Sequence, residues 1–221
     1  MVNKRIYLMV LVWLFAFSLS AQDQWKNVYT KSAWADRDKW QKSDELIRQL
    51  NLKPGSQVAD IGCHEGYMTF KLSTVVGEKG LVYAVDVEQN KLDRLEINKK
   101  QAKVKNVLAV KGDYDDPMLS VNSLDAVIVV DTYHEMDDHD AILKHVMKAL
   151  KPGGRLVLCE PIAEERRKML RADQEKKHEL GIGYALDDLN KAGFTIIKKQ
   201  DPFVDRAEKG DWMWLLVAVK E

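Results

Sequence analysis

The chain has 221 residues with 34 basic and 34 acidic groups, so its formal charge is zero. That length favours a single domain, and the lack of a dense Lys/Arg run argues against an electrostatic grip on nucleic acid or an anionic membrane surface. The balance is uneven: residues 1–21 hold Lys4 and Arg5 and no acid, leaving 32 basic against 34 acidic groups beyond them, a charge of −2.

The first segment sets a short positive start (Asn3, Lys4, Arg5) before an apolar run from Ile6 to Phe17 and then the small residues Ser18, Ser20 and Ala21. This layout predicts a secretory signal peptide over 1–21, cut after Ser20 or Ala21, and export to the periplasm or outside. As a helix, Ile6 to Ala21 would reach about 24 Å against a hydrocarbon core of about 30 Å, so an uncleaved anchor is the alternative and the only membrane link expected.

Residues 22–55 read as an N-terminal helical segment: Trp34, Trp40, Leu46, Ile47 and Leu50 recur at roughly helical spacing until the turn signal Asn51-Leu52-Lys53-Pro54-Gly55. Trp25, Tyr29, Trp34 and Trp40 are candidates for an aromatic lid or for anchors against the core. From 56 to 221 apolar strand-like runs alternate with helical ones. Strands are predicted at Gln57–Ile61, Leu81–Val87, Val107–Lys111, Leu124–Val130 and Arg155–Glu160, and helices at Gly66–Val76, Gln89–Ala102 and Asp138–Leu150. Such alternation requires crossovers, hence a parallel, doubly wound α/β sheet with helices on both faces. Ile162 to Leu180, dense in both charges, reads as a solvated helix. After a helical piece at Tyr184–Ala192, the strands Phe194–Lys199 and Trp212–Val219 follow without an intervening helix and can run antiparallel. The last is apolar on both faces, which places it inside the sheet and its predecessor at the edge.

The most informative stretch is Asp60-Ile61-Gly62-Cys63-His64-Glu65-Gly66, where the first strand turns into a helix. Glycine there lets a ligand approach the backbone, and a helix start offers free N–H groups. Asp86, 20 residues beyond Gly66 at the end of the second strand, is placed to accept both hydroxyls of a ribose, with Val87 beside it. A nicotinamide dinucleotide fingerprint aligned on Gly62 would need glycines at positions now held by His64 and Tyr67. The pattern acid-x-Gly-x-Gly-x-Gly is met by Asp60, Gly62 and Gly66, with His64 as the departure.

At this point the chain resembles the class I S-adenosylmethionine-dependent methyltransferases, from about Arg37 to the C-terminus. The resemblance includes Lys111-Gly112-Asp113-Tyr114 after the third strand, Asp131-Thr132-Tyr133-His134-Glu135 after the fourth, and Leu150-Lys151-Pro152-Gly153-Gly154-Arg155 leading into the fifth. It implies a Rossmann-like seven-stranded sheet in the order 3-2-1-4-5-7-6 with the last strand antiparallel, and S-adenosyl-L-methionine as cofactor. It further implies a cofactor site of Asp60, Gly62, His64, Gly66, Asp86 and Val87, with Asp113 and Tyr114 at the adenine and Asp131 at the methionine end. The expected acceptor is a small or lipophilic molecule, and an exported binding protein that keeps the fold without catalysis is the competing reading.

Methyl transfer asks the protein to align the acceptor and sometimes to remove its proton. Asp131, His134 and Glu135 are the candidates, with Tyr133 as an orienting group; the alternative is that Asp131 holds the cofactor's amino group while His134 and Glu135 merely open the next helix. The cluster His134, Asp137, Asp138, His139 and Asp140 lacks convergent ligands, so no metal is expected. His178 and Tyr184 are further pocket candidates, because in the resembling family the segment after the fifth strand covers the acceptor. In that family's order one strand separates Cys63 from Cys159, putting them about 10 Å apart, beyond the roughly 7 Å limit for a disulfide. Two free thiols are expected.

Overall fold

The computed structural model describes residues 31–206 and 210–221. The expected leader, Trp25 and Tyr29 lie outside them. The chain divides between Lys39 and Trp40 into two compact units. In the first, helix α1 (Lys31–Trp40, its last residue belonging to the second unit) carries an exposed Lys39–Asp36 pair at 2.6 Å.

The second unit begins with α2 (Ser43–Gln49). The single helical stretch expected over this region is two helices, because Lys42 adopts the left-handed conformation, φ 52°. There the Lys42 ammonium donates to the Phe203 carbonyl, 2.8 Å. Asp44 and Glu45 then lie in the first turn of α2, where acids complement the helix dipole.

The remaining elements are β1 (Gln57–Ile61), α3 (Tyr67–Val76), β2 (Leu81–Asp86), α4 (Gln89–Ala102), β3 (Val107–Lys111), β4 (Leu124–Val130), α5 (His139–Ala149), β5 (Leu150–Ile162), α6 (Arg171–Glu175), α7 (Ile182–Lys191), β6 (Thr195–Arg206) and β7 (Asp211–Val219), with single 3₁₀ turns at Tyr133–Glu135 and Glu164–Arg166. Seven strands form one sheet in the order β3-β2-β1-β4-β5-β7-β6. β1 to β5 pair in parallel, whereas β7 is antiparallel to both β5 and β6. The doubly apolar last strand is inside the sheet and β6 is its edge, as their polarity required.

Alternation along β4 explains its central place. Val127 and Val129 join a core with Ile142 and Val146 of α5 and Ala185 and Leu189 of α7, while Ala126 and Ile128 are buried on the opposite face. Burying a large aliphatic side chain stabilises by roughly 1.5–3 kcal/mol, and only a central strand buries both sets. Between Leu124 and Ala126 the β5 partner advances from Leu150 to Arg155, so Lys151-Pro152-Gly153-Gly154 forms an excursion. Backbone bonds with Lys220 hold it: Gly153 N–H to the Lys220 carbonyl at 2.7 Å and Lys220 N–H to that of Gly154 at 3.0 Å.

Three expectations need correction besides the split helix. β5 extends to Ile162 and β6 to Arg206, both longer than predicted, and β2 stops at Asp86 rather than Val87. The segment Ile162 to Leu180 is no solvated helix. Its charges pair off instead: Arg166 forks onto Glu179 (both bonds 2.7 Å) and Arg167 onto Asp201 (2.7 and 2.9 Å). The fully buried Gln174 carboxamide donates to the carbonyls of Arg166, Arg167 and Met169 and accepts the Gly181 N–H at 2.7 Å. Bidentate pairs and a buried amide fix a compact connector where a helix would leave these groups to water.

Candidate active site

The carboxyl ends of β1, β2, β3 and β4 carry the predicted residues, where a doubly wound sheet opens its crevice. The loop after β1 folds over β2: the N–H groups of Gly62 and Cys63 both donate to the Val85 carbonyl, at 2.9 and 3.0 Å. His64 stands at φ 50°, so it occupies the left-handed region that the family's usual glycine would take freely. In that conformation its N–H donates to Asp86 Oδ2, 2.9 Å, while Glu88 N–H donates to Asp86 Oδ1, 2.9 Å. Each Asp86 oxygen therefore takes one backbone donor and keeps a second lone pair. Burial pushes the Asp86 carboxyl above the usual range, outweighing the pull of those two N–H groups.

Asp60, buried at the end of β1, accepts the Thr69 hydroxyl at 2.6 Å and so ties the strand to α3. The two loop glycines are also demanded by packing. A Cβ on Gly62 (φ 77°) would lie 2.3 Å from Thr132 Cγ2, and one on Gly66 (φ 103°) 2.5 Å from Leu95 Cδ1. Farther out, Val87 is half-buried, while Asp113 and Tyr114 are exposed after β3.

The turn after β4 is built around a residue that the sequence reading left out. Glu160, at 0% exposure near the end of β5, accepts the N–H groups of Thr132 (2.8 Å) and Tyr133 (2.9 Å) on Oε1 and that of His134 (3.3 Å) on Oε2, which also meets His134 Nδ1 at 2.5 Å. A carboxylate oxygen at that distance only accepts, so Nδ1 carries a hydrogen and His134 Nε2 points away from Glu160. Burial opposes charge on this ring, yet Glu160, with Asp131 and Glu135, pushes its pKa up to about 8. His134 is thus a stronger base than an ordinary histidine.

Asp131 turns the chain at φ 57°, and its Oδ2 lies 3.4 Å from Nη1 of Arg206. Arg206 is itself buried, forked onto Asp211 at 2.5 and 2.7 Å, with its guanidinium 5.7 Å from the centroid of the Trp40 ring. Tyr133 is fully buried and donates to Asp188 Oδ2, 2.9 Å, a carboxylate also held by both Nη atoms of Arg171. It supports the turn from beneath.

His134 and Glu135 do not open α5. They occupy the 3₁₀ turn, and the helix is capped by Asp138, which accepts the Ala141 N–H at 2.9 Å. His139 is drawn off to the Tyr133 carbonyl, 2.9 Å from Nε2. Of the two connector candidates, Tyr184 donates to the Met169 carbonyl (3.2 Å), whereas His178 comes to the site: its Nδ1 is 3.3 Å from Glu135 Oε1 and its ring centroid 5.9 Å from that of His134. Cys63 and Cys159 are both free and buried, on opposite sides of β4 in the sheet order.

Two cavities, of about 590 and 230 Å³, lie among residues such as Arg48, Asn51, Lys71 and Asp125 at the amino ends of the strands. The chemistry-bearing side chains stand at the other end of the sheet.

Comparison with known proteins agrees with this anatomy. A family described as a methyltransferase domain matches residues 52–218. Demethylmenaquinone methyltransferase from Staphylococcus saprophyticus is 33% identical over 122 residues, covering 55% of this chain and 50% of that one. The chain thus spans about half the length of the curated relatives it matches. Among solved structures, a SAM dependent methyltransferase from Aquifex aeolicus superposes with a TM-score of 0.70 at 23% identity, over 81% of this chain and 90% of that one. Geranyl diphosphate C-methyltransferase from Streptomyces coelicolor, crystallised with geranyl diphosphate and S-adenosyl-L-homocysteine, gives 0.68 at 14% identity, over 82% and 79%. With that family matched over residues 52–218, most of this chain, the chain belongs to the methyltransferase-domain family.

Proposed function

We propose that the protein is an S-adenosylmethionine-dependent methyltransferase acting on a small lipophilic acceptor. The observation that carries this reading is the bond from His64 N–H to Asp86, which locks the acid–glycine loop of β1 to the acid ending β2 in the geometry of an adenosine site. The cofactor fits because Asp86 keeps one lone pair per oxygen and Gly62 and Gly66 of the adjoining loop carry no side chain. When bound, it supplies an electrophilic methyl group whose sulfonium leaves as a neutral thioether.

Asp60, Gly62, His64 and Gly66 would shape the floor of the cofactor site, and Asp86 with Val87 would take the ribose. Asp113 and Tyr114 would hold the adenine, and Asp131, steadied by Arg206, would take the methionine amino group. His134 and Glu135 face the acceptor, with His134 oriented by Glu160 so that Nε2 is outward. Alignment of the acceptor is the main work left to the protein, and positioned groups on a rigid turn supply it. A curated relative supports the acceptor class, since demethylmenaquinone, the compound in its name, is lipophilic. The basic start and apolar run of residues 1–21 support export, with cell fractionation as the check.

The test is calorimetry of the full chain with S-adenosylhomocysteine, followed by incubation of a methyl-labelled donor with envelope lipid extract. Saturable binding that Asp86→Ala weakens at least about tenfold, with label entering an extractable product, is the expected result. Failure to bind would end the proposal. Binding with no label in any product would instead favour the non-catalytic binding protein.

A further inference from the structure

His134, Glu135 and His178 each offer one donor atom, all within 4.8 Å of one another, and we propose that they form a binding site for a divalent transition-metal ion, zinc by its donor set. The site goes beyond the methyl-transfer reading. It assembles residues 44 positions apart in sequence, which local spacing could not bring together.

The spacing suits the ion. Tetrahedral bonds of about 2.0–2.1 Å separate neighbouring donors by roughly 3.3–3.4 Å. Glu135 Oε1 to His178 Nδ1 is already 3.3 Å, and Glu135 Oε1 to His134 Nε2 is 3.8 Å. Glu135 and His178 have exposed side chains, so small rotations close the remaining gap. His134 is the fixed member. Its ring is buried, and Nδ1–H is held by Glu160 at 2.5 Å, the carboxylate–histidine arrangement that orients metal-binding imidazoles and makes Nε2 a better donor.

His178 is also set in place by the connector rather than left on a loose tip. Its backbone N–H donates to the Glu175 carbonyl at 2.9 Å, and the next residue, Glu179, is forked by Arg166. Two imidazole nitrogens and one carboxylate oxygen favour zinc over magnesium or calcium, which take oxygen ligands. Three protein donors leave a fourth position for water or for an oxygen or sulfur of the acceptor.

Binding is measured without any methyl donor, so this site and the methyl-transfer reading can fail separately. The untagged full-length chain, stripped with a chelator, is titrated with Zn²⁺ in competition with a chromophoric chelator. One ion per chain is expected. Glu135→Ala and His178→Ala should each weaken binding at least about tenfold; both side chains are exposed, and circular dichroism checks that the fold is kept. Glu160→Gln, which orients His134 less firmly, should weaken it by about ten- to a hundredfold. Cobalt(II) should give the visible absorption of a four- or five-coordinate ion in the wild type and lose it in His178→Ala. Absence of stoichiometric binding, or equal affinity in wild type, Glu135→Ala and His178→Ala, overturns the site.

Discussion

Gly62→Ala tests whether the loop glycine answers to its neighbours as well as to a ligand. Gly62 sits at φ 77°, and a Cβ there would meet three atoms of the Thr132 side chain at 2.3, 2.5 and 2.7 Å. A non-glycine residue in the left-handed region costs about 1–2 kcal/mol, and forcing an extra methyl into a filled space a further 1–3 kcal/mol or so. Lower entropy of the unfolded chain returns about 0.4–1 kcal/mol, so the net loss should fall at about 1–5 kcal/mol, centred on about 3 kcal/mol. Gly193→Ala is the control, because Gly193 has φ 87° and nothing within 4 Å of its would-be Cβ. It should lose only about 1 kcal/mol. Urea unfolding at equal m-values reads both. Thr132→Ser removes Cγ2, the nearest atom, and should return part of the loss in a double-mutant cycle. Equal costs for the two alanines and no coupling to Thr132 would falsify the steric reading.

Other consequences are open to measurement. Asp86 must be ionised to accept two ribose hydroxyls, and burial raises its pKa, so S-adenosylhomocysteine affinity should fall on acidification at a higher pH than an ordinary aspartate would require; Asp86→Asn should bind weakly with a flat pH profile. Burial, then Asp60 and Asp86, push the Cys63 thiol up, and burial, then Glu160 and Asp131, push Cys159 up. Neither should react with a thiol reagent in the native protein at neutral pH, and two thiols should titrate after denaturation without reductant. Arg206→Ala leaves the Asp211 carboxylate buried without its fork and should cost about 3–5 kcal/mol by denaturant unfolding. Gln174→Ala strands the buried Gly181 N–H and should speed hydrogen exchange there, with a loss of about 1–3 kcal/mol.

The sheet was legible because its strands are buried on both faces and say so in apolar runs: Leu124–Val130 and the Trp212–Val219 run declare central positions without any pairing information. The cofactor loop was legible because close backbone approach calls for glycine, and Gly62 and Gly66 stand where a strand becomes a helix. The residues that organise the turn were not. Glu160 read as the end of a strand, although a carboxylate following Leu156-Val157-Leu158-Cys159 is costly to bury without partners and could have been questioned on that ground. Arg206 lies past Lys199, where the edge strand was expected to end. In the connector, charge density suggested solvent, whereas opposite charges placed bidentately let the same residues turn inward.

Glu160 shows why the acceptor side of the site is made by the turn and not by the strand beneath it. Its two oxygens face four donors, two backbone N–H groups on Oε1 and one N–H plus the His134 ring on Oε2. A carboxylate has about four lone-pair positions, so all are spoken for and none is left for a ligand. Glu160 therefore reaches the acceptor side through His134, whose Nδ1 it holds and whose Nε2 it leaves on the side of Glu135 and His178. Asp131, at φ 57°, makes the reversal that lets the next three N–H groups converge on one buried acid. Removing that acid would strand several buried donors at once, so a full truncation reports on folding. Glu160→Gln, nearly the same in shape, weakens the hold on His134 with less damage to the turn, and is the substitution that separates orientation from architecture.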